Sequence, residues 1–474
     1  MINLDWFFIL IYVVLVVASV VTVLMDNRQP SRTAAWVLVL LFVPIVGFVL
    51  YFFFGQNTRK MKIISKHSLD QLTERSMLGF VEQKGLSLPD EHSALIRQFA
   101  KQCNSMPFRD NDVQTFVDGR SLFLSMLREI ASARHHVHVD VYIIADDALG
   151  RLFADALIDR ARQGVEVRLI YDDVGCWHVK SAFFERMSRA GVDVKPFMRV
   201  KFPAFTSKVN YRNHRKLCVI DGMTAFIGGM NIALRYAKGT DDGRSWRDTH
   251  VMLRGAAVYA AQSAFLVDWY SVSRTLINDR VYYPEPRSYV PGVLAQIVTS
   301  SPLAKYPDMM QGYVRLLVEA KRYIYIQTPY FLPTEQVLSA LQAAALSGVD
   351  VRLMVPLRGD SRLAGWAATS YLNVAAEAGI SVLLYRPGFL HSKTVTCDDT
   401  LFVCGSTNID FRSFENNFEA DVFLYDKAIA TTMRDAFLAD AKQCIPLEEM
   451  ARRVRRPFLR RLWESLVRLV APLL

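Results

Sequence analysis

Paired cysteines are lacking in this chain of 474 residues. Its six cysteines are scattered, and no two of them stand in a Cys-x-x-Cys arrangement. A chain of this length can bury a sufficient core without covalent staples, so it needs no disulfide framework. Reduced thiols are therefore the expectation, although the sequence by itself leaves a bridge open.

Net charge is lacking in the middle of the chain. The whole chain carries +10, which at first suggests nucleic-acid binding. Residues 451–474 carry +6 and residues 1–66 carry +4, which accounts for all of it and leaves residues 67–450 with no net charge. The basic residues stand beside apolar segments, where they would meet anionic lipid headgroups. The distribution therefore favours a lipid surface over nucleic acid as the partner.

Charged residues are also lacking from two long apolar runs near the amino terminus, residues 6–24 and 34–54. Each run is long enough to cross about 30 Å of hydrocarbon as a helix. No basic residue precedes the first run, and a second run follows at once, which argues against the alternative of a cleaved signal peptide. We therefore predict that residues 1–56 form a hairpin of two transmembrane helices.

Basic residues flank this hairpin unevenly. Four of them follow the second run: Arg59, Lys60, Lys62 and Lys66. The connector between the runs has only Arg28 and Arg32. Because basic residues are enriched on the cytoplasmic side of membrane helices, the catalytic part is predicted to be cytoplasmic.

The carboxyl-terminal residues 451–474 show a helical pattern. Their apolar residues recur three or four positions apart: Leu459, Leu462, Trp463, Leu466, Val467 and Val470. Arginines occupy many of the other positions, so the segment is predicted to be a basic amphipathic helix in the membrane interface. The alternative is a helix that packs on the protein's own surface.

Two similar halves, residues 111–275 and 295–450, follow a polar, helix-prone segment at residues 57–110 that is predicted to be a linker or accessory region. Three apolar, strand-like segments of the first half match the second in the same order: 137–143 with 324–327, 164–170 with 348–354, and 190–194 with 378–382. Strands that alternate with helices at this spacing predict an α/β fold in which each half is a largely parallel sheet flanked by helices. A repeat this long indicates duplicated domains.

Both halves carry the pattern His-x-Lys-x-x-x-x-Asp. The six candidate catalytic residues are His214, Lys216, Asp221, His391, Lys393 and Asp398. Each motif is followed by a glycine-containing turn and an asparagine, Asn231 or Asn408, and 177 residues separate every matching pair. Two matches in register inside a repeat are very improbable by chance, so the two motifs are predicted to form one shared site.

These residue types suit the transfer of a phosphodiester. Histidine and lysine two positions apart point to one face of a strand. One histidine can attack phosphorus while the other protonates the leaving alkoxide and later deprotonates the incoming hydroxyl. The lysines can neutralise the phosphate, and Asn231, Asn408 and Ser406 are candidates to bind its non-bridging oxygens.

Each histidine also needs an acid to orient its far nitrogen, as in catalytic triads. Glu419 lies 28 residues after His391, and Asp248 lies 34 residues after His214. We predict that these two are the orienting acids. Asp221 and Asp398, at the ends of the motif strands, are expected to fix local structure more than to touch substrate.

The paired motifs resemble those of the phospholipase D superfamily. Residues 405–413 read Gly-Ser-Thr-Asn-Ile-Asp-Phe-Arg-Ser, and with the hairpin and the arginine-rich tail the chain is similar over nearly its whole length to bacterial cardiolipin synthases. The resemblance implies a multi-pass protein of the bacterial inner membrane. It also implies metal-independent transfer of a phosphatidyl group from one phosphatidylglycerol to another, giving cardiolipin and glycerol. In the wider superfamily the amino-terminal histidine, here His214, is often the nucleophile.

Several alternatives remain open at this stage. A phosphatidyl transferase or phospholipase D could use another alcohol, and a membrane-tethered nuclease would share the motifs. A catalytically dead membrane scaffold is a further alternative, and the two intact motifs argue against it. Residues 136–140 suggest metal ligands, but the matching positions in the second half are Tyr323, Tyr325 and Gln327, so no metal or other cofactor is predicted. Phosphatidylglycerol and anionic membrane lipids are the predicted partners, nucleic acid is not, and a homo-oligomer is left open.

Overall fold

The structure is a computed structural model that describes residues 4–25, 30–51, 88–200, 210–240, 242–453 and 457–469. The chain divides into two compact units. The first, here the helical unit, comprises Met1–Lys62 and Val200–Tyr211, and the second, the catalytic unit, comprises Ile63–Arg199 and Arg212–Leu474. The four basic residues that follow the second apolar run lie outside the described residues, as does most of the predicted linker or accessory region.

Three helices are described in the helical unit: α1 (Leu4–Met25), α2 (Pro30–Phe42) and α3 (Pro44–Leu50). The second predicted span is divided because Pro44, which lacks a backbone N–H, starts a new helix after Val43. Within the described residues, none of the helices combines the length and the apolar character that crossing a membrane would require. This differs from the predicted transmembrane hairpin.

The first half of the catalytic unit contains eight strands and five α-helices among the described residues. The helix that precedes it is α4 (Ser93–Cys103). The strands are β1 (Pro107–Phe116), β2 (His136–Val141), β3 (Glu166–Asp172), β4 (Asp193–Phe197), β5 (Lys216–Ile220), β6 (Thr224–Gly228), β7 (Ser245–Arg247) and β8 (His250–Arg254). The helices are α5 (Gly119–Ser132), α6 (Ala148–Arg162), α7 (Ser181–Arg189), α8 (Leu234–Lys238) and α9 (Val258–Ser273), with a short 3₁₀ helix at Asp90–His92 before α4.

The second half repeats this order after a 3₁₀ helix at Arg280–Tyr282. Its strands are β9 (Val293–Ser300), β10 (Tyr323–Gln327), β11 (Phe331–Leu332), β12 (Asp350–Pro356), β13 (Ser381–Tyr385), β14 (Gly388–Leu390), β15 (Thr394–Cys397), β16 (Leu401–Gly405), β17 (Ile409–Asp410), β18 (Glu419–Tyr425) and β19 (Cys444–Pro446). Its helices are α10 (Asp308–Glu319), α11 (Glu335–Leu346), α12 (Arg362–Glu377), α13 (Phe411–Glu415), α14 (Lys427–Ala441), α15 (Leu447–Arg453) and α16 (Phe458–Leu469).

Helix starts in the catalytic unit follow from aspartates at their amino-terminal caps. Asp118 accepts a hydrogen bond from the Ser121 N–H at the start of α5, and Asp147 accepts one from the Gly150 N–H at the start of α6. Such caps satisfy N–H groups that have no partner inside the helix. The described part of the predicted linker or accessory region contains α4, whose Phe99 lies in the core of the second half, and β1 begins at Pro107.

One sheet of fifteen strands joins the two halves. Its strand order is β19-β13-β12-β10-β15-β16-β18-β9-β1-β8-β6-β5-β2-β3-β4. Strands β1 and β9 pair antiparallel at the centre, and the order on one side of this pair mirrors the order on the other. The buried residues Phe108, Val251, Ile297 and Val422 form the core at this junction. The sheet therefore has a pseudo-twofold relation between the halves.

The sheet is mixed, and the prediction of a largely parallel sheet was wrong. Only β2-β3-β4 and β10-β12-β13 are parallel neighbours in the long sheet, while the pairs that involve the motif strands are antiparallel. The reason is the short turn after each motif strand, at residues 221–223 and 398–400, which can connect only antiparallel neighbours.

The carboxyl-terminal helix α16 packs against α12. The Trp463 ring meets the Trp366 ring edge-on at 6.1 Å, Arg468 lies over the Tyr371 ring at 4.4 Å, and Val467 is buried. This packing matches the alternative of a helix on the protein's own surface. Several apolar side chains of the same helix remain exposed: Phe458, Leu459, Leu462, Trp463 and Leu466. Its insertion into a membrane interface stays a prediction.

Candidate active site

Backbone pairing between the halves brings the two motifs together. His214 stands two residues before β5, and its N–H donates to the carbonyl of Phe418, 2.9 Å away in the second half. His391 stands in the matching place before β15, and its N–H donates to the carbonyl of Arg247, 2.7 Å away in the first half. Strands β14 and β7 also pair in parallel across the halves. The predicted single shared site is therefore consistent with the fold.

Each motif histidine is held by a carboxylate from the other half. Nδ1 of His214 lies 3.0 and 3.1 Å from the two carboxylate oxygens of Glu419. Nδ1 of His391 lies 2.6 Å from the Asp248 carboxylate. Glu419 and Asp248 are fully buried. A carboxylate can only accept, so the ring proton of His214 sits on Nδ1 and its Nε2 keeps a lone pair that can attack or take a proton. Nδ1 of His391 also lies 2.8 Å from the Lys393 ammonium, which is a donor.

Two buried lysines complete the centre of the site. The ammonium of Lys216 donates to the carbonyl of His214, and that of Lys393 donates to the carbonyl of His391. Burial lowers the pKa of Lys216 to about 7 and that of Lys393 to about 8, although nearby carboxylates oppose the shift. A negatively charged ligand would restore the cationic form of both, because an adjacent opposite charge favours the charged state.

Both motif histidines are neutral at pH 7. Burial lowers the pKa of His214 to about 4, while Glu419 acts in the opposite direction. Burial also lowers the pKa of His391 well below its usual value, and the cations Lys393 and Lys216 lower it further. The charge of an arriving phosphodiester would raise both values. Both rings can therefore act as bases near neutral pH, and a bound anion would favour their protonated forms.

Aromatic rings line both histidines, and the sequence reasoning missed them. The Tyr142 ring lies 4.9 Å from the His214 ring and 5.3 Å from the Lys216 ammonium. The Tyr236 and Trp246 rings each lie 5.7 Å from the His391 ring. Trp246 stands two residues before the orienting acid Asp248, which was the available signal. These rings exclude water and strengthen the electrostatic interactions in the site.

A family model described as "Cardiolipin synthase, PLD-like domain" matches residues 126–244 and 313–441, more than half of the chain. This chain belongs to the cardiolipin synthase family. A second model, described as "Phospholipase_D-nuclease N-terminal", matches residues 13–56. The resemblance inferred from the paired motifs is confirmed.

Curated members of the cardiolipin synthase family match this chain from end to end. The cardiolipin synthase of Oceanobacillus iheyensis is 37% identical over 98% of both chains. The major cardiolipin synthase ClsA of Bacillus subtilis is 36% identical, again over 98% of both. Among solved structures, phosphatidylserine synthase of Haemophilus influenzae has a TM-score of 0.60 at 14% identity, over 81% of this chain and 100% of that one. This last likeness shows the fold alone.

The motif aspartates of this cardiolipin synthase family member lie away from the histidines. The Asp221 carboxylate accepts hydrogen bonds from the backbone N–H groups of Arg134, His135 and His136 at 2.8–2.9 Å. Asp398 binds the three matching N–H groups that lead into β10. The motif strand carries its last residue to the end opposite the histidines, so these contacts give no support to a catalytic role for the two aspartates, which stays a prediction. The expectation that they fix local structure is confirmed.

Replacement of Asp221 by asparagine is expected to lower stability more than catalysis. Asparagine tolerates the left-handed backbone found at this position, but its NH₂ group cannot accept the hydrogen bond from the Arg134 N–H. We expect the free energy of unfolding to fall by about 1–3 kcal/mol and kcat below the transition to stay within the wild-type order of magnitude. Thermal unfolding and lipid turnover measure the two quantities. A large loss of kcat at unchanged stability would contradict this placement.

The predicted phosphate-binding side chains have local partners. Asn231 accepts from the Ile143 N–H at 3.1 Å and donates to the Tyr236 hydroxyl at 2.8 Å. Ser406 exchanges hydrogen bonds with the backbone of Ala420, next to Glu419. The side-chain oxygen of Asn408 is buried and has no hydrogen-bond partner among the described residues. Their contact with a phosphate stays a prediction.

Arg215, between the motif histidine and lysine, is a positioning residue that the sequence reasoning missed. Its guanidinium pairs with Asp268 and donates to the carbonyls of Glu419 and Ser300 at 3.1 and 3.0 Å. All these groups are buried. Removal of one partner from a buried pair leaves an uncompensated charge. Arg215 thus fixes the strand that presents Glu419 to His214.

The histidines at residues 136–138 use their ring nitrogens for hydrogen bonds. Gln262 bridges His136 and His138, with 2.9 Å to each ring. Arg168 reaches the other nitrogen of His138 at 2.9 Å. These contacts explain the cluster structurally, because the Gln262 amide and the Arg168 guanidinium contact the ring nitrogens through which histidine would bind a metal.

Proposed function

We propose that this protein joins two phosphatidylglycerol molecules into cardiolipin and glycerol through a phosphohistidine. The observation that carries the proposal is the pair of motif histidines, each held by a buried carboxylate from the opposite half and each accompanied by a buried lysine. The full-length relatives named cardiolipin synthases support the choice of reaction. Two histidines suffice for a two-step transfer at one phosphorus.

In the first step Nε2 of His214 attacks the donor phosphorus and an N–P bond forms. The bond between phosphorus and the glycerol headgroup oxygen breaks, and His391, protonated when the anion binds, gives its Nε2 proton to that oxygen. Glycerol leaves and a phosphatidyl-histidine remains. Lys216 and Lys393 face the charge that develops on the non-bridging oxygens, where preorganised cations contribute most to catalysis. Asn231, Asn408 and Ser406 are proposed to assist them.

In the second step His391, now neutral, takes the proton from the hydroxyl of the acceptor phosphatidylglycerol. The acceptor oxygen attacks phosphorus and the N–P bond breaks, which returns His214 to its neutral form. The reaction exchanges one phosphodiester for another, so it needs no metal and no other cofactor. Glu419 and Asp248 keep each ring in the same tautomer through both steps.

The purified protein in mixed micelles of phosphatidylglycerol and detergent tests this function. Cardiolipin and free glycerol should form in equal amounts, with EDTA present throughout. Phosphatidic acid as the sole product would identify a phospholipase D, and a product with a different headgroup would identify another acceptor alcohol. Cleavage of a single-stranded oligonucleotide would identify a nuclease, which the absence of net charge in residues 67–450 does not favour.

We further propose that the protein works at a bacterial inner membrane, with its catalytic unit on the cytoplasmic side. Helix α1 is apolar, and Trp6, Leu10 and Leu15 on it are more than half exposed. Exposed apolar side chains in such density are typical of contact with lipid. Flotation of the protein with phosphatidylglycerol vesicles, and protease access from one side of inverted membranes, test this placement.

The dependence of kcat/KM on pH is expected to be bell-shaped. Below about pH 4 His214 is protonated and cannot attack, and above pH 7 to 8 Lys216 and Lys393 lose the charge that binds phosphate. The quantity kcat/KM reports the groups of the free enzyme. Because arginine stays charged at these pH values, Lys216→Arg should move the alkaline limb to higher pH. An alkaline limb unmoved in that variant, with Lys393→Arg also without effect, would contradict the assignment.

A further inference from the structure

Two arginines beside the site are related by the internal repeat. Arg235 and Arg412 each follow the motif asparagine by four positions, and the same 177 residues separate them as separate the two histidines. Arg235 lies in α8 and Arg412 in α13, the short helices that follow the motif turns. The mechanism described above uses neither of them.

Arg235 lies against the wall of the site at His391. Its guanidinium carbon is 5.2 Å from the centre of the Trp246 ring and 5.5 Å from that of Tyr236. Both rings lie 5.7 Å from the His391 ring. Its charge also acts on that histidine: burial lowers the pKa of His391 most, and Arg235 lowers it after Lys393, Lys216 and His214. Arg235 is therefore a further cation at the edge of the catalytic centre.

The charge of Arg235 is poorly compensated. Its Nε atom is buried and has no hydrogen-bond partner in the described part of the chain. Among the described carboxylates, none forms an ion pair with it, and its recorded contacts are with the Tyr236 and Trp246 side chains. A buried charged donor without an acceptor is costly. An anionic ligand would remove that cost.

The repeat is asymmetric at this point. Two residues before Arg412 stands Asp410, whose carboxylate caps α13 and interacts electrostatically with Arg412. The matching residue before Arg235 is Ala233. Arg235 thus lacks the acid that stands two residues before Arg412. An anion would therefore meet a less compensated positive charge on the side of Arg235.

Transfer between two phosphatidylglycerol molecules brings two phosphates to the site. The donor has one phosphodiester, which is the reacting one and faces the two lysines. The acceptor brings a second, which does not react and lies one glycerol bridge away in the product. We propose that Arg235 binds this non-reacting phosphodiester of the acceptor and so makes the site select an anionic acceptor lipid. The inference rests on the proposed function, since it needs a lipid acceptor.

Two reactions of the full-length protein separate this role from general catalysis. One is cardiolipin formation, and the other is exchange of radiolabelled glycerol into phosphatidylglycerol, which involves the donor phosphate alone. In Arg235→Gln the ratio of cardiolipin formation to glycerol exchange should fall roughly 10- to 100-fold, as expected for a lost charged hydrogen bond, with a raised KM for the acceptor lipid. Arg235→Lys should recover much of that ratio because it keeps the charge.

Lys238 provides a matched control because it is an exposed cation on the same short helix. Lys238→Gln should leave the ratio at the wild-type value, which excludes a non-specific effect of charge on lipid binding. A ratio unchanged in Arg235→Gln, whether both reactions fall together or neither falls, would overturn the inference. Glycerol exchange without cardiolipin formation by the wild-type protein would overturn the proposed function. This outcome concerns the wild-type protein alone, so it is distinguishable from failure of the inference.

Discussion

Replacement of His214 by alanine is expected to remove the covalent intermediate, and replacement of His391 is expected to let it accumulate. A donor with a p-nitrophenyl headgroup isolates the first step, because nitrophenolate leaves without help from an acid. His391→Ala should then release a stoichiometric burst of nitrophenolate and retain the ³²P-labelled phosphatidyl group. His214→Ala should give neither. With phosphatidylglycerol itself both variants should lose cardiolipin formation on the order of 10⁴-fold or more.

This expectation follows from the different roles proposed for His214 and His391, which occupy nearly symmetric positions. In the proposed mechanism both rings present Nε2 to the same phosphorus, and only the sequence of steps makes one a nucleophile and the other an acid and base. The exposed Arg189, whose partner Glu185 lies one helical turn away, offers a remote control as Arg189→Gln, which should behave as wild type. The reverse pattern would exchange the two roles. Absence of a labelled adduct in both variants would exclude the covalent mechanism.

Replacement of each orienting acid is expected to impair the same reaction step as replacement of the histidine that it contacts in the opposite half. Glu419→Gln should slow adduct formation from the activated donor, as His214→Ala does. Asp248→Asn should leave the burst and slow the release of the adduct, as His391→Ala does. The amide side chain no longer favours the tautomer with the proton on Nδ1, and the corresponding change in a serine protease costs about 10⁴-fold in kcat. We expect losses on the order of 10²- to 10⁴-fold in cardiolipin formation.

Double variants test the crossed pairing directly. If Glu419 acts through His214, then Glu419→Gln in a His214→Ala background should cost little more, because residues that act as a unit are not additive. The same substitution in a His391→Ala background should cost its full factor in adduct formation. Asp421 lies two residues further along β18, where its carboxylate accepts a hydrogen bond from the Tyr313 hydroxyl instead of from a motif histidine. Equal effects of Glu419→Gln in both backgrounds would contradict the pairing.

Much of the site could be predicted because phosphodiester transfer demands particular functional groups. The two motifs stand in register inside a repeat, so their histidines and lysines were identifiable without any fold. Asp248 and Glu419 were identifiable as acids at similar distances after the two motifs. What spacing could not indicate was the direction in which each acid points, since that depends on contacts between residues about 140 to 200 positions apart.

The errors of sequence reasoning have a common physical origin. Alternation of strands and helices predicted parallel neighbours, but the short turns at Asp221 and Asp398 force the motif strands into antiparallel pairs. The apolar run at residues 34–54 was read as one helix, but Pro44 divides it. In each case a local feature of one or two residues outweighed the pattern of the longer segment.

The sequence by itself determined the chemistry of this protein: a duplicated half, one histidine and one lysine from each copy, and an acid for each histidine. Those properties reside in side-chain types and in their register, which a single chain displays directly. Only the tertiary structure decided that each half supplies the acid for the other's histidine, that the motif aspartates brace the opposite end of their strands, and that Arg235 lies beside His391. These relations arise where the halves meet along β1 and β9, and packing across a pseudo-twofold leaves no mark in the spacing of residues along the chain.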